Sequence, residues 1–217
     1  MKNLPIWRTL WPILLLPLLG ANQPAQPAPK PTADQELAAL LAPLQTFRAA
    51  FHQRVTEEDG YLLDASRGIM SFTRPNQLYW QITTPAPALL IADGTALYYH
   101  DPELKQVRIR PWIPDPAQNP IAIFAAADAP ISQSHQVTKL PTAKDSPRYR
   151  LRPKDPAAGY QQLTLTFAGG QPTRIEILDP LGQHTQIDFQ PLQDPQAIPA
   201  DPYRFTPPPD TEIIHER

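Results

Sequence analysis

Gly68-Ile69-Met70-Ser71-Phe72-Thr73-Arg74-Pro75-Asn76, followed by Trp80, Pro85, Asp93-Gly94 and Tyr98-Tyr99-His100-Asp101, is the stretch that decides the fold. Leu62 to Phe72 and Gln77 to Thr83 read as strands on either side of the Arg74-Pro75-Asn76 punctuation. Leu89 to Ala92 and Ala96 to His100 flank Asp93-Gly94, a strong hairpin signal. The pattern predicts a concave β-sheet with an apolar inside and one cation, Arg74, placed at its lip. That is a binding surface for something apolar rather than an active site.

Working outward, the segment before this stretch changes period. Thr32 is placed to cap a helix, with Glu36 near its positive end. Leu37, Leu40, Leu41 and Leu44 then recur at helical spacing and form one apolar stripe. From Phe47 the period becomes two, with Phe47, Ala49, Phe51, Gln53 and Val55 on one side and Arg48, Ala50, His52 and Arg54 on the other. Glu57 to Gly60 reads as a turn.

Beyond His100 the strand candidates are Gln106–Arg110, His135–Leu140, Arg148–Leu151, Gln161–Phe167, Thr173–Leu178, Thr185–Phe189 and a last one at Tyr203–Thr206. Asn119 to Ala127 predicts a short, nearly all-apolar helix, with Asn119 as its cap and Pro120 at the first helical position. A helix apolar on every side must be covered, or must itself cover something apolar. Many short antiparallel strands with helices only at the start and middle predict a mainly β (α+β) fold. Its form is one highly curved sheet, an unclosed barrel or half-barrel. So little helix covers so large a sheet that two arrangements are open: a fully packed core, or an apolar cavity under a helical lid. The cavity's ligand would be hydrocarbon, at about 0.8 kcal/mol per buried methylene.

The chain has 217 residues, enough for one domain with a sizeable core, and 30 prolines that mark linkers, turns and edges. Residues 1–21 read as a signal peptide: Lys2 and Arg8 precede an apolar run from Thr9 to Ala21, too short to span a bilayer comfortably. Cleavage is expected after Ala21 or Ala25, with an uncleaved anchor as the alternative. Residues 22–33 form a Pro/Ala-rich linker, and 34–217 the folded domain. There is no cysteine, which excludes disulfides, Cys-ligated metals and a lipid-anchored cysteine. The chain is therefore expected to be exported and soluble. Loss of residues 1–21 leaves 17 basic against 21 acidic residues, a net charge of −4. That balance gives no electrostatic footprint for nucleic acid.

Enzyme signatures are thin. There is no nucleophile-elbow, Walker or dinucleotide motif. His52, His100, His135, His184 and His215 are scattered without metal spacing and read as surface or strand residues. No catalytic residue, metal ligand or cofactor is expected. A carboxylate pair converging in three dimensions keeps a hydrolase acting on a lipid or envelope polymer open as a second class. Arg74 also has two readings. Residue types alone favour a solvated turn arginine; the other is a clasp whose guanidinium reaches the open carbonyls of a lid helix.

The ordered set of motifs resembles the periplasmic outer-membrane lipoprotein carriers, the LolA family. It comprises Phe51-His52-Gln53 after the leucine helix, Gly68, Arg74-Pro75-Asn76, Trp80, Asp93-Gly94, Leu97-Tyr98-Tyr99, Gln106-Val107, Asn119-Pro120, Leu151-Arg152-Pro153, Asp179 to Gly182 and Phe205 to Pro208. It covers about residues 34–214. The resemblance implies an unclosed antiparallel barrel with a helical lid over a hydrophobic cavity. It implies a carrier that takes acylated lipoproteins from an inner-membrane ABC transporter and delivers them across the periplasm to the outer-membrane receptor LolB. It matches Arg74 to the arginine that latches the lid, Pro120–Ala127 to the lid, and Leu78 to a bulky cavity position that is often Phe in the family. The expected lining is Leu37, Leu40, Leu41, Leu44, Phe51, Leu78, Trp80, Ile121, Ile123 and Phe124. A monomer is expected. The proline-rich 190–202 loop departs from the family pattern. Alternatives of the same fold are a related lipid or glycolipid carrier and a lipoprotein-sensing regulator.

Overall fold

The computed structural model describes residues 30–113, 115–125, 130–143 and 145–216. The expected signal peptide and most of the linker lie outside the described residues. The compact unit begins at Pro31. Its elements are α1 (Ala33–Leu41), β1 (Thr46–Thr56), β2 (Leu62–Thr73), β3 (Gln77–Thr84), β4 (Ala88–Asp93), β5 (Ala96–Asp101), β6 (Gln106–Pro111), α2 (Ala122–Ala125), α3 (Ile131–Ser134), β7 (His135–Leu140), β8 (Arg148–Pro153), β9 (Gln162–Ala168), β10 (Gln171–Leu178), β11 (His184–Gln190) and β12 (Glu212–His215).

All twelve strands form one sheet in the order β12-β6-β5-β4-β3-β2-β1-β11-β10-β9-β8-β7. Hairpin-connected neighbours account for most of the antiparallel pairings, as the turn signals predict. The exception is the seam where β1 meets β11, with Phe51 opposite Phe189 and Arg54 opposite Gln186. The outermost pairing, β12 on β6, is parallel.

A flat sheet of twelve strands would measure about 53 Å across at roughly 4.8 Å per strand. Yet one buried apolar cluster holds Leu97 of β5, Phe72 of β2, Phe51 of β1, Ile187 of β11, Phe167 of β9 and Tyr149 of β8. The sheet must therefore roll around that cluster, which makes it the unclosed, curved antiparallel wall that the sequence predicts. The alternation in β1 holds: Phe47, Ala49 and Phe51 face this inside, while Arg48 and Arg54 are exposed. Gly68 shows how tightly the inside is filled. A Cβ built on it would lie 1.8 Å from the Gln81 carbonyl oxygen and 2.7 Å from the Phe51 ring. That ring stacks on Trp80 with centroids 4.0 Å apart.

Three expectations are corrected. The leucine helix ends at Leu41 rather than running to Leu44, because Pro43 cannot continue it; Leu44 is buried in the turn that follows. The apolar helix expected over Asn119–Ala127 is helical at Ala122–Ala125, and residues 126 and 127 lie outside the described residues. Asn119 does make the expected start, its side-chain oxygen accepting from the Ile121 N–H at 3.1 Å. Finally, Tyr203–Thr206 is not a strand; the last strand is Glu212–His215. Pro202 and Pro207 to Pro209 bracket the segment and remove the amide donors that a ladder needs. Tyr203 and Phe205 instead pack on the outer face of β2 to β5, beside Tyr79, Ile91 and Ile198. The Tyr203 hydroxyl lies 2.8 Å from Ser71 Oγ and 2.7 Å from Thr73 Oγ1. The 190–202 loop, with a 3-10 turn at Pro195–Ala197, belongs to this same ribbon.

Gly68→Ala is expected to destabilise the protein by about 3 kcal/mol, since backbone as well as the Phe51 ring must shift. Urea unfolding monitored through Trp80 fluorescence measures it; a loss under 0.5 kcal/mol would mean that the wall yields freely there.

Candidate functional site

The inside of the rolled sheet is where apolar side chains converge. Leu37 and Leu41 of α1, Leu44, Phe51, Leu78, Trp80, Ile123 and Phe124 are all buried in the one cluster. Leu40 and Ile121 are half-buried and pack against it. The sequence-predicted lining is thus brought together. Its members pack on one another, and Phe124 of α2 stacks on Phe72 of β2 with ring centroids 5.5 Å apart. Phe72 also meets Phe47, which in turn stands edge-on to Phe189.

Beside this aromatic row an apolar groove of about 430 Å³ opens, lined by Phe47, Ala49, Ala168, Pro172, Phe189 and Pro191 together with polar neighbours. Its volume lies in the range of small-molecule sites. The groove lies at the ends of β1, β9, β10 and β11, and three of its lining residues, Phe47, Ala49 and Phe189, belong to or pack against the apolar cluster.

Arg74 joins α2 to the end of β2. β2 ends at Thr73, and the Arg74 N–H donates to the Gln45 carbonyl at 2.9 Å, fixing its backbone. Pro75 follows through a cis peptide, and Asn76 turns the chain at φ 64°. The Arg74 Nε–H then donates to the Phe124 carbonyl of α2 at 3.0 Å. Phe124 lies in the last turn of α2, where helix carbonyls commonly take donors from outside the helix. A charge-assisted bond of this kind is worth about 1.5–3 kcal/mol.

Two polar anchors hold the helices that cover the inside. On α1, the Glu36 carboxylate accepts from Lys139 Nζ and, at 3.0 Å, from the Tyr149 hydroxyl. The hydrogen bond from Lys139 holds Glu36 below its ordinary pKa. Burial, reinforced by Glu36, pushes Tyr149 up to about 12.

The second anchor is a chain that sequence reasoning missed. His135 does begin a strand as expected, but it is 1% exposed. Its Nε2 lies 2.7 Å from the Tyr160 hydroxyl, and that hydroxyl donates to the Pro116 carbonyl at 2.6 Å. A carbonyl only accepts, so the phenol proton goes to Pro116 and the ring carries its own proton on Nε2. Nδ1 is then free to accept from Ser134 Oγ at 2.8 Å. The chain pins residues 115–121, the approach to α2, onto β7. The Gly159 N–H adds a bond to the Ala117 carbonyl. Only the side-by-side Ser134-His135 pair was visible in sequence, and nothing local signalled Tyr160. Ser134 and His135 lie at the distance of a nucleophile and base, but the outer ring nitrogen faces a phenol rather than a carboxylate. Among the described residues no group of three or more His, Asp and Glu could hold a metal ion. None of the described helices is long and apolar enough to cross a membrane.

The profile of the family described as outer membrane lipoprotein carrier protein LolA matches residues 42–206. The chain belongs to the LolA family. Relatives agree over nearly the whole length. The outer-membrane lipoprotein carrier protein of Alcanivorax borkumensis is 31% identical over 185 residues, which cover 85% of this chain and 88% of that protein. That of Pseudomonas fluorescens is 31% identical over 205 residues, covering 94% and 98%. Among solved structures, a LolA superfamily protein from Nitrosomonas europaea is 16% identical with a TM-score of 0.42, over 77% of this chain and 97% of that one, too loose a likeness to argue from.

Burial lowers the pKa of His135 from the ordinary 6.5, and the negative charge of Asp115 opposes that shift only in part. Below about pH 6.5 the unfolded chain therefore binds a proton that the folded one refuses, so stability is full above that pH and falls as the solution is acidified. Urea midpoints at pH 7.5 and 5.5 check this. His135→Gln is expected to flatten the difference, and an unchanged difference would place the titrating group elsewhere.

Proposed function

We propose that this chain is a periplasmic carrier of acylated lipoproteins. It takes cargo released by an inner-membrane ABC transporter and hands it to an outer-membrane receptor of the LolB kind. One observation supports the reading above the others: α2, which covers part of the apolar inside, packs Phe124 on Phe72 and accepts a hydrogen bond from Arg74 at the Phe124 carbonyl. A cover joined to the wall by side-chain packing and a side-chain hydrogen bond suits reversible opening.

The reading is mechanical. Acyl chains enter beside Phe47 and Phe189, displace Phe124 from Phe72, and break the Arg74 bond. Leu78, Trp80 and Phe51 then line the hydrocarbon. A chain that leaves a bilayer for an apolar cavity gains little net hydrophobic energy, because both environments are apolar. The closed state's own contacts, the Phe124 packing and the Arg74 bond, then favour release. In this reading residues 1–21 direct export and the carrier works as a monomer without nucleotide or metal. The same-fold alternatives and the hydrolase lack a comparable supporting observation.

Arg74→Leu removes a bond worth about 1.5–3 kcal/mol and so shifts the closed-to-open balance by about 10- to 100-fold. The variant is expected to accept lipoprotein and to transfer it poorly to receptor-bearing membranes. Mass spectrometry of the protein purified from periplasm is expected to find intact triacylated lipoprotein on the variant. Unchanged transfer would remove the latch role, and turnover of a cleaved product would replace the carrier with an enzyme.

A further inference from the structure

The outer face of the rolled sheet is divided. Over β2 to β5 it is covered by the ribbon that carries Ile198, Tyr203 and Phe205. Over β1, β11, β10, β9 and β8 it carries a groove of about 550 Å³ whose charged lining is Arg54, Arg148, Arg150 and Glu176, with His184 nearby. Strand alternation puts these side chains outside. Their neighbours Phe51, Ile187, Ile175, Leu163 and Leu151 are in the buried cluster.

The pairing register makes the lining one continuous row. Arg54 stands opposite Gln186, Gln186 opposite Glu176, Glu176 opposite Thr164, and Thr164 opposite Arg150. The one carboxylate in the row is taken, since Glu176 Oε2 accepts from Arg148 Nη2 at 2.7 Å. Asp188, in the adjoining row, is likewise paired with Arg174. Among the described residues neither Arg54 nor Arg150 forms an ion pair. The Arg150 Nε–H is buried without a hydrogen-bond partner. Unmet buried donors of this kind carry a free-energy cost that an incoming acceptor relieves.

We propose that this groove binds an acidic, extended segment of a partner protein, with carboxylates on Arg54 and Arg150 at its two ends. Charge complementarity gives the sign: the row has two unpaired arginines on a chain whose overall charge is negative. Shape gives the class. Arg54 and Arg150 are four strand spacings apart, about 19 Å, which an extended peptide spans in roughly six residues. A flat lipid surface meets the rims of such a groove and leaves the buried Arg150 Nε–H unmet. Arginine rather than lysine at both ends suits planar, two-point recognition of carboxylate.

The test uses the protein without its signal segment and a fluorescent octapeptide bearing two glutamates at each end of a Ser-Gly-Ser-Gly spacer. Saturable binding by anisotropy at low salt is expected, weakened about tenfold or more in the Arg54→Gln/Arg150→Gln double variant and strongly reduced by added salt. A peptide with glutamine in place of glutamate is expected not to bind, and a version with the spacer removed is expected to bind more weakly. Lack of peptide binding overturns the proposal, as does equal binding by the double variant with its circular dichroism unchanged. Arginine-dependent sedimentation with phosphatidylglycerol vesicles, without peptide binding, would assign the groove to lipid headgroups instead. The double variant is expected to load acyl chains normally, so this outcome is separable from the fate of the carrier reading.

Discussion

A twelve-stranded sheet has two faces to cover, and this chain has seventeen described α-helical residues with which to do it. Everything else follows from that shortage. The ribbon of Ile198, Tyr203 and Phe205 covers part of the outer face, and the inner apolar face is covered largely by itself, so the wall rolls until strands far apart in the order touch through their side chains. The glycine at position 68 is part of the same constraint. With Gln81's backbone and the Phe51 ring so close, even one methyl is too much. A rolled wall whose margins among the described strands are β12 and β7 leaves a mouth; α1 and α3 pack on β7, and α2 packs on β2.

At that mouth the forces are deliberately modest in scale. Burying a side chain such as Phe124 contributes about 1.5–3 kcal/mol, similar to the charged bond made by Arg74. Neither approaches the stability of a whole domain, about 5–15 kcal/mol. In the carrier reading proposed above, the covering piece leaves while the wall stays folded. The anchors behind it are different in kind. The phenol-imidazole-carbonyl chain through Tyr160, His135 and Pro116 is buried, fully bonded and costly to break. α2 thus meets the wall through packing and a side-chain hydrogen bond to its carbonyl, while the segment leading to it is pinned by a buried polar chain.

The sequence made the wall legible because strands announce themselves locally. Alternation at Phe47, Ala49 and Phe51, the Asp93-Gly94 turn and the Asn119-Pro120 start each survive in the structure nearly as written. Arg74 was visible as a position, but its partner lies 50 residues on, and only folding brings the two together. The buried state of His135 was hidden for the same reason, since Tyr160 and Pro116 give no local sign. Tyr203–Thr206 misled because an aromatic at every second position satisfies a sheet's outer face as well as a strand's own alternation. The prolines on either side decided between the two. The arginine row of the outer face is a subtler case. Arg54, Arg148 and Arg150 each read as an ordinary solvent-facing residue, and their alignment exists only through the successive pairings of β1, β11, β10, β9 and β8.

The seam between β1 and β11 has a consequence for how the molecule comes into being. Val55 and Thr185 are neighbours in the sheet but about 130 residues apart in the chain. A chain that emerges amino end first carries the strand of Phe51 with one open margin until nearly everything else has been made. Joining two such distant pieces is slow, because the long intervening loop must first be gathered in. Apart from β12 on β6, the two halves of the wall can each zip up hairpin by hairpin, so their meeting along this line is the antiparallel closure with the largest chain separation. During that wait the greasy inner surface lies open to any other apolar partner in its surroundings.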